Sequence, residues 1–233
     1  MADVMIERLE KLSTAELADS CLRLGVPIRC APSDMQPIDK MMHCAGRVMP
    51  ARHNGSVDVF LEALELAEPG DVLVVDDGGR KDQSVIGDMV AREVKFAGLK
   101  GIILWGCHRD TRELLEVGIP FFSIGKMPNS PVSVDRRTHD ALEWARIGDW
   151  VVTEDDVVVG DIDGVIFLPF NRLHEIVPVA EAIHKTERRQ AAIMNQGTSL
   201  REQFYFKDYL AKRAEDPSYD LRTHLNRIGG AIE

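Results

Sequence analysis

A mixed α/β fold with parallel strands at its centre is predicted by three observations: two short apolar runs, a helical pattern between them, and a late series of β-branched segments. Val72–Asp76 follows the breaker Pro69-Gly70-Asp71 and ends in Asp77-Gly78-Gly79, the pattern of a strand leaving a sheet into a loop. From Ile86 onward, Met89, Val90, Val94 and Ala97 recur at helical spacing, and Gly98 supplies the stop. Gly101–Trp105 is a second continuous apolar run of strand length. The segment is therefore a β-α-β crossover, which favours parallel strands and a right-handed connection.

The other elements follow from local signals. Ser13 and Glu16 form a capping-box pattern ahead of Leu17, Cys21 and Leu24, and Gly25 ends that helix. Val57, Phe60, Leu61 and Leu64 mark a second helix, stopped by Pro69-Gly70. After the crossover, Trp150–Thr153, Val157–Val159 and Val165–Leu168 are short strands divided by acidic and glycine turns. Asp76-Asp77-Gly78-Gly79 lacks the G-x-G-x-x-G spacing, so this is not a dinucleotide-binding turn.

Composition narrows the function. With 233 residues, 45% of them apolar, the chain can bury a substantial core. A formal charge of −10 argues against general nucleic-acid binding, which wants a basic face, so anionic substrates need local positive sites. Cys21, Cys30, Cys44 and Cys107 show no C-x-x-C pairing and read as reduced, mostly buried thiols rather than a zinc cluster. The amino terminus MADVMIERLEKL has acidic residues and no sustained apolar core, and no run approaches the roughly 18 apolar residues of a membrane span. The expectation is a soluble, unexported, cytoplasmic protein with no membrane contact. Residues 185–233 carry nine basic and seven acidic side chains, against nineteen and thirty-one in residues 1–184. The expected organisation is a domain over 1–184 and a helical C-terminal extension over 185–233, in which Phe204, Tyr205, Tyr209 and Leu210 need burial.

One spacing points to chemistry. Asp88 stands at the start of the crossover helix, and Arg109-Asp110 follows the next strand after a twenty-residue spacer. In open α/β sheets ligands collect beyond the carboxyl ends of strands, where both the 77–87 and 106–110 loops lie. The first-turn amides around Asp88, Met89 and Val90 have no intrahelical partner and sit at the positive end of the helix dipole, which suits a carboxylate or phosphate. Arg109 offers a planar fork for an oxyanion. Asp110 offers hard oxygen to a divalent cation that keeps most of its waters. His108 is a candidate proton relay beside the pair. His43 and His53 have no second histidine at ligand spacing, and the sequence does not place the Arg52-His53-Asn54-Gly55 loop.

Gly87-Asp88-Met89-Val90, the spacer and Arg109-Asp110-Thr111-Arg112-Glu113 resemble the D-X20-R-D motif of the class II pyruvate aldolases. That family is typified by 4-hydroxy-4-methyl-2-oxoglutarate/4-carboxy-4-hydroxy-2-oxoadipate aldolase and is related to the regulator of ribonuclease E activity A. Ala45-Gly46-Arg47, Pro69-Gly70-Asp71-Val72 and Gly160-Asp161-Ile162-Asp163-Gly164-Val165 extend the likeness in order across about residues 12 to 185. The resemblance implies β/β/α layers of the swivelling phosphohistidine-domain type and a lyase that cleaves a 4-hydroxy-2-oxo acid to pyruvate through an enolate, with oxaloacetate decarboxylation as a side activity. It implies that Asp110 holds magnesium or manganese, that Arg109 binds the pyruvyl oxygen and stabilises the enolate, that the amides of Met89 and Val90 bind the substrate carboxylate, and that Asp88 orients a water. It also implies a homotrimer or homohexamer in which a glutamate of the adjacent subunit reaches the site; Glu187 is the candidate.

Three alternatives stand beside that reading. A lysine Schiff base is the other aldolase solution, but Lys81, Lys95 and Lys100 lie in no apolar strand that would depress their pKa. A metal-dependent dehydratase or decarboxylase would use the same enolate. A non-catalytic regulator that binds a ribonuclease or another partner is the different-class alternative; those relatives lack the aspartate of the Arg-Asp pair, which is present here as Asp110.

Overall fold

Capping chemistry fixes the first helices. The computed structural model describes residues 2–229, beginning with α1 (Ala2–Leu9), which the sequence reading did not anticipate, and α2 (Thr14–Leu24). Ser13 Oγ accepts from the Glu16 amide at 3.2 Å, and Glu16 Oε2 accepts from the Ser13 amide at 2.9 Å. Gly25, at φ 63°, closes the helix as the sequence predicts. Next come β1 (Arg29–Cys30), β2 (Gln36–Pro37), β3 (Cys44–Arg52), α3 (Asp58–Leu66), β4 (Val72–Asp76), β5 (Ser84–Ile86), α4 (Asp88–Phe96), β6 (Gly101–His108), α5 (Thr111–Val117) and β7 (Phe121–Lys126). The β-rich section follows as β8 (Ala145–Ile147), β9 (Trp150–Val152), β10 (Asp156–Asp161) and β11 (Gly164–Pro169). The remaining helices are α6 (Leu173–Asn195), α7 (Leu200–Gln203), α8 (Phe206–Glu215) and α9 (Leu221–Ile228).

The main sheet runs β1-β11-β10-β3-β4-β6-β7-β2, with β5 also on β6. Its centre is parallel: β3 pairs with β4, β4 with β6, and β6 with β7. Antiparallel strands flank it, β10, β11 and β1 on one side and β2 on the other. The β4-α4-β6 crossover predicted from the sequence is present, with Val72 opposite Gly101 and Asp76 opposite Trp105.

Strand periodicity sorts the core onto two faces. Leu73 and Val75 of β4 pack with Val59, Phe60 and Ala63 of α3 and Ala91 and Val94 of α4. Val72 and Val74 point the other way, among Ala145 and Ile147 of β8 and Val152 of β9. Two of the sequence motifs interlock beneath the parallel strands. A Cβ on Gly46 would stand 2.4 Å from the Gly70 carbonyl oxygen, so the β3 backbone reaches the Pro69-Gly70 turn only because Gly46 has no side chain.

Two boundaries differ from the sequence reading. Ile86 is not the first residue of the helix: Ser84–Ile86 is a buried three-residue strand against β6, and α4 starts at Asp88. The β6 strand likewise continues past Trp105, because Cys107 and His108 gain partners on β5 and β7. Isolated apolar side chains carry either period, and the neighbouring strand decides between them.

Asp161, at the turn between β10 and β11, ties that hairpin to α2. Its carboxylate accepts from the Thr14 amide and the Thr14 hydroxyl, each at 2.7 Å and buried, and from the Asp163 amide at 2.9 Å. Asp161→Ala strands those donors away from water, and a loss of about 2–4 kcal/mol is expected. Urea titration reads it; a loss under about 0.5 kcal/mol, the range of ordinary surface substitutions, would refute the role given to this carboxylate.

The chain divides into two compact units at Val177/Pro178, the break falling within α6. In the second unit Phe204 and Tyr209 are buried as the amphipathic pattern requires, while Tyr205 and Leu210 are exposed. His224 organises this unit: Nε2 meets the Phe204 carbonyl at 2.7 Å, and Nδ1 meets the Tyr219 hydroxyl at 3.1 Å. Residues 230–233 of the 185–233 segment lie outside the described residues. Among the described residues, no helix is long and apolar enough to cross a membrane.

Candidate functional site

The carboxyl ends of β5 and β6 bring together what the D-X20-R-D spacing predicts. The Arg109 amide donates to the Ile86 carbonyl at 3.0 Å, which sets Arg109-Asp110 beside Gly87. Gly87 is the N-cap of α4, and no side chain caps the amides that follow it. A Cβ added to Gly87 would lie 2.3 Å from Asp110 Oδ2 and 3.3 Å from Arg109 Nε. The carboxylate and the guanidinium therefore stand directly at the amino end of α4, where the dipole is positive and first-turn N–H groups are open.

Each predicted residue can now be placed. Asp110 is the N-cap of α5 in the left-handed conformation (φ 58°, ψ 40°), and its side chain is 40% exposed. Arg109 Nε is 3.5 Å from Asp110 Oδ2, and Nη1 donates to Ser130 Oγ. Asp88 is the first residue of α4 and pairs with Arg92 one turn on, at 3.2 Å. Met89 is exposed and Val90 half-buried, so the start of α4 is open to a ligand. Glu187 is half-buried on α6, within the second unit.

His108 is buried, and both ring nitrogens are engaged: Nδ1 with Ser123 Oγ at 2.8 Å and Nε2 with Thr111 Oγ1 at 2.9 Å. Burial first, and then the Lys126 charge, push its imidazole below the usual value, so it is neutral at pH 7.

Sequence reading missed the segment after β7. Asn129 clips it onto β5: its carbonyl accepts from both the amide and the hydroxyl of Ser84 at 2.9 Å, and its side chain donates to the Asp82 carbonyl at 2.9 Å. Ser130, next in the chain, reaches Arg109. The contact joins residues 21 positions apart, and no local pattern announces it.

The Arg52–Gly55 loop takes part in a neighbouring arrangement. His53 Nδ1 bonds Asp77 Oδ1 at 2.9 Å, and Gln83 Nε2 donates to the same carboxylate at 3.1 Å, all buried. On the opposite face Asp76 Oδ2 accepts from the Arg146 amide at 3.0 Å. His53 and Asp76 line a cavity of about 290 Å³ that includes none of Asp88, Arg109 or Asp110. His43 meets the Leu12 carbonyl at 3.2 Å, a packing role.

Lys81, Lys95 and Lys100, the lysines nearest the motif in sequence, all have polar partners. Lys81 pairs with Asp34 at 2.7 Å, which raises its pKa, and Lys100 pairs with Glu10 at 3.0 Å, both exposed. Lys95 donates to the Val117 carbonyl. None is desolvated in an apolar pocket, the condition that makes a Schiff-base lysine reactive.

The donor set speaks to the metal. No group of three or more His, Cys, Asp or Glu side chains gathers among the described residues, so no closed protein cage for zinc or calcium is built there. A single accessible carboxylate beside an arginine and open amides suits magnesium or manganese, which retain several waters and complete their shell with substrate oxygens.

Fold and site together define a mixed α/β protein in which the uncapped start of a helix stands beside an arginine and a part-exposed carboxylate. The family model described as RraA-like, Aldolase/RraA, matches residues 14–167, and the chain belongs to that family. A Bacillus cereus protein provisionally named 4-hydroxy-4-methyl-2-oxoglutarate aldolase is 34% identical over 149 residues, 64% of this chain and 92% of the relative. A Halalkalibacterium halodurans protein with the same provisional name is 28% identical over 72% of this chain and 80% of its own length. The chain spans 59% of the length of one further relative and 33% of another. Among solved structures, Streptomyces coelicolor RraAS2, described as an unusual member of the RNase ES inhibitor RraA protein family, matches with a TM-score of 0.69 and 26% identity over 82% of this chain and 96% of that one.

Proposed function

We propose that the chain is a divalent-metal-dependent lyase that cleaves a 4-hydroxy-2-oxo acid to pyruvate and also decarboxylates oxaloacetate. The observation that carries this reading is the convergence of Asp110, Arg109 and the uncapped start of α4 on the backbone of Gly87. Magnesium or manganese held by Asp110 would supply Lewis-acid polarisation of the 2-oxo carbonyl. The Met89 and Val90 amides bind the substrate carboxylate at the positive end of the helix. The Arg109 guanidinium sits on the 2-oxo oxygen, where charge develops as the C3–C4 bond breaks and its electron pair passes into the enolate. Asp88 orients a water that takes the proton of the C4 hydroxyl. In oxaloacetate the bond broken is that to the leaving carboxylate, and the same enolate forms.

The catalytic part is assigned to residues 1–184 and oligomer contacts to 185–233, in a cytoplasmic trimer or hexamer where Glu187 of one copy serves the site of another. Incubation with oxaloacetate or a 4-hydroxy-2-oxo dicarboxylate, with lactate dehydrogenase and NADH reporting pyruvate, tests the activity. Turnover should require magnesium or manganese and stop with EDTA; pyruvate formation no faster than the uncatalysed rate overturns the reading. One observation favours a partner-binding role, the similarity to RraAS2 of the RNase ES inhibitor family. A chain that binds a ribonuclease and shows no turnover in this assay would establish that alternative.

A further inference from the structure

Asp110 is one of two non-glycine residues with positive φ among the described residues. An L-residue held there is strained and persists only where the surroundings over-determine it. The surroundings here are a side-chain bridge: His108 Nε2 and Thr111 Oγ1, 2.9 Å apart, close a loop across Arg109 and Asp110. The bond directions follow from the next partner. Ser123 Oγ donates to the Gly125 carbonyl at 3.3 Å, so it accepts from His108 Nδ1–H at 2.8 Å. Nε2 then carries the lone pair and accepts from the Thr111 hydroxyl. The ring also packs edge-on against Phe121, with centroids 5.5 Å apart. Every polar atom of the imidazole is committed, and nothing is left over to exchange a proton with substrate.

We propose that His108 is a positioning residue: the chain Ser123–His108–Thr111 locks the left-handed turn that presents the Asp110 carboxylate at Gly87. The inference rests on the reading of Asp110 as the metal ligand, and it assigns a function to Thr111 and Ser123, to which the proposed reaction gives no other role. Mutations of groups that orient a ligand cost roughly 10–100-fold in metal affinity or activity.

Thr111→Val keeps the side-chain shape and removes the hydroxyl; Thr111→Ser restores a hydroxyl. Mn²⁺ binding to the metal-free protein, followed by electron paramagnetic resonance, is measured for both, alongside kcat and KM for oxaloacetate and the thermal midpoint. Expected for Thr111→Val is Mn²⁺ affinity weaker by about tenfold and a similar fall in kcat, with KM little changed. Thr111→Ser should bind Mn²⁺ within about threefold of the starting protein, well short of that loss. If Thr111→Val binds Mn²⁺ as tightly as the parent while Asp110→Ala does not bind, the positioning role is overturned and the metal reading stands. If the parent itself neither binds Mn²⁺ nor forms pyruvate, both fall together.

Discussion

Asp110→Ala is expected to abolish metal-dependent pyruvate formation, a loss of about 10³-fold or more, because on the proposed reading it removes the carboxylate that would hold the Lewis acid beside the substrate. The fold should survive. The Asp110 side chain is 40% exposed and pairs with the similarly exposed Arg109, an ion pair of the kind that contributes little stability. Replacing a left-handed aspartate by alanine costs backbone strain, so Asp110→Gly is the companion variant: it relieves φ 58° while removing the same carboxylate. Both should lose turnover, and only alanine should lower the thermal midpoint. Arg109→Ala should fall by about 10²–10³-fold in kcat, the usual cost of one donor to a developing oxyanion. Unchanged turnover in any of the three would reject the assigned roles.

The second large effect belongs to Gly87→Ala. The new methyl would stand 2.3 Å from Asp110 Oδ2, closer than any carbon and oxygen approach without a covalent bond, so the carboxylate must swing away. Gly87 itself lies at φ −121°, where alanine is tolerated, and the substitution imposes no backbone strain. A displacement of about 1 Å at a reacting group costs on the order of 10²-fold in rate. The expected result is a loss of that size in kcat with stability nearly unchanged, read by the coupled pyruvate assay and a thermal melt. A variant as active as its parent would show that the position of the Asp110 carboxylate against this glycine does not matter for turnover.

The predictable parts of the fold are those whose signals are local. The Ser13/Glu16 capping box, the Gly25 stop and the β4-α4-β6 crossover all depend on residues close in sequence, and all appear as the pattern requires. Short strands are different. Three residues at Ser84–Ile86 and two at Gln36–Pro37 hold no measurable period, and their identity as strands is conferred by β6 and β7. The same limit governed the site. Asp88, Arg109 and Asp110 are found from spacing because helix and strand lengths fix where each falls, whereas Ser123 and Ser130 arrive from a later strand and loop. Ending that strand at Trp105, as the apolar run suggests, leaves His108 in a loop; the added pairing with β5 and β7 is what buries it.

The alternation along β4 has a consequence at its carboxyl end, where the consecutive acids Asp76 and Asp77 serve opposite layers, one holding the Arg146 amide and the other His53 and Gln83. A one-residue deletion within Val72–Val75 would exchange their directions and sever both ties at once, because a strand has no way to shift by half its repeat. One-residue length changes should therefore be purged within this run.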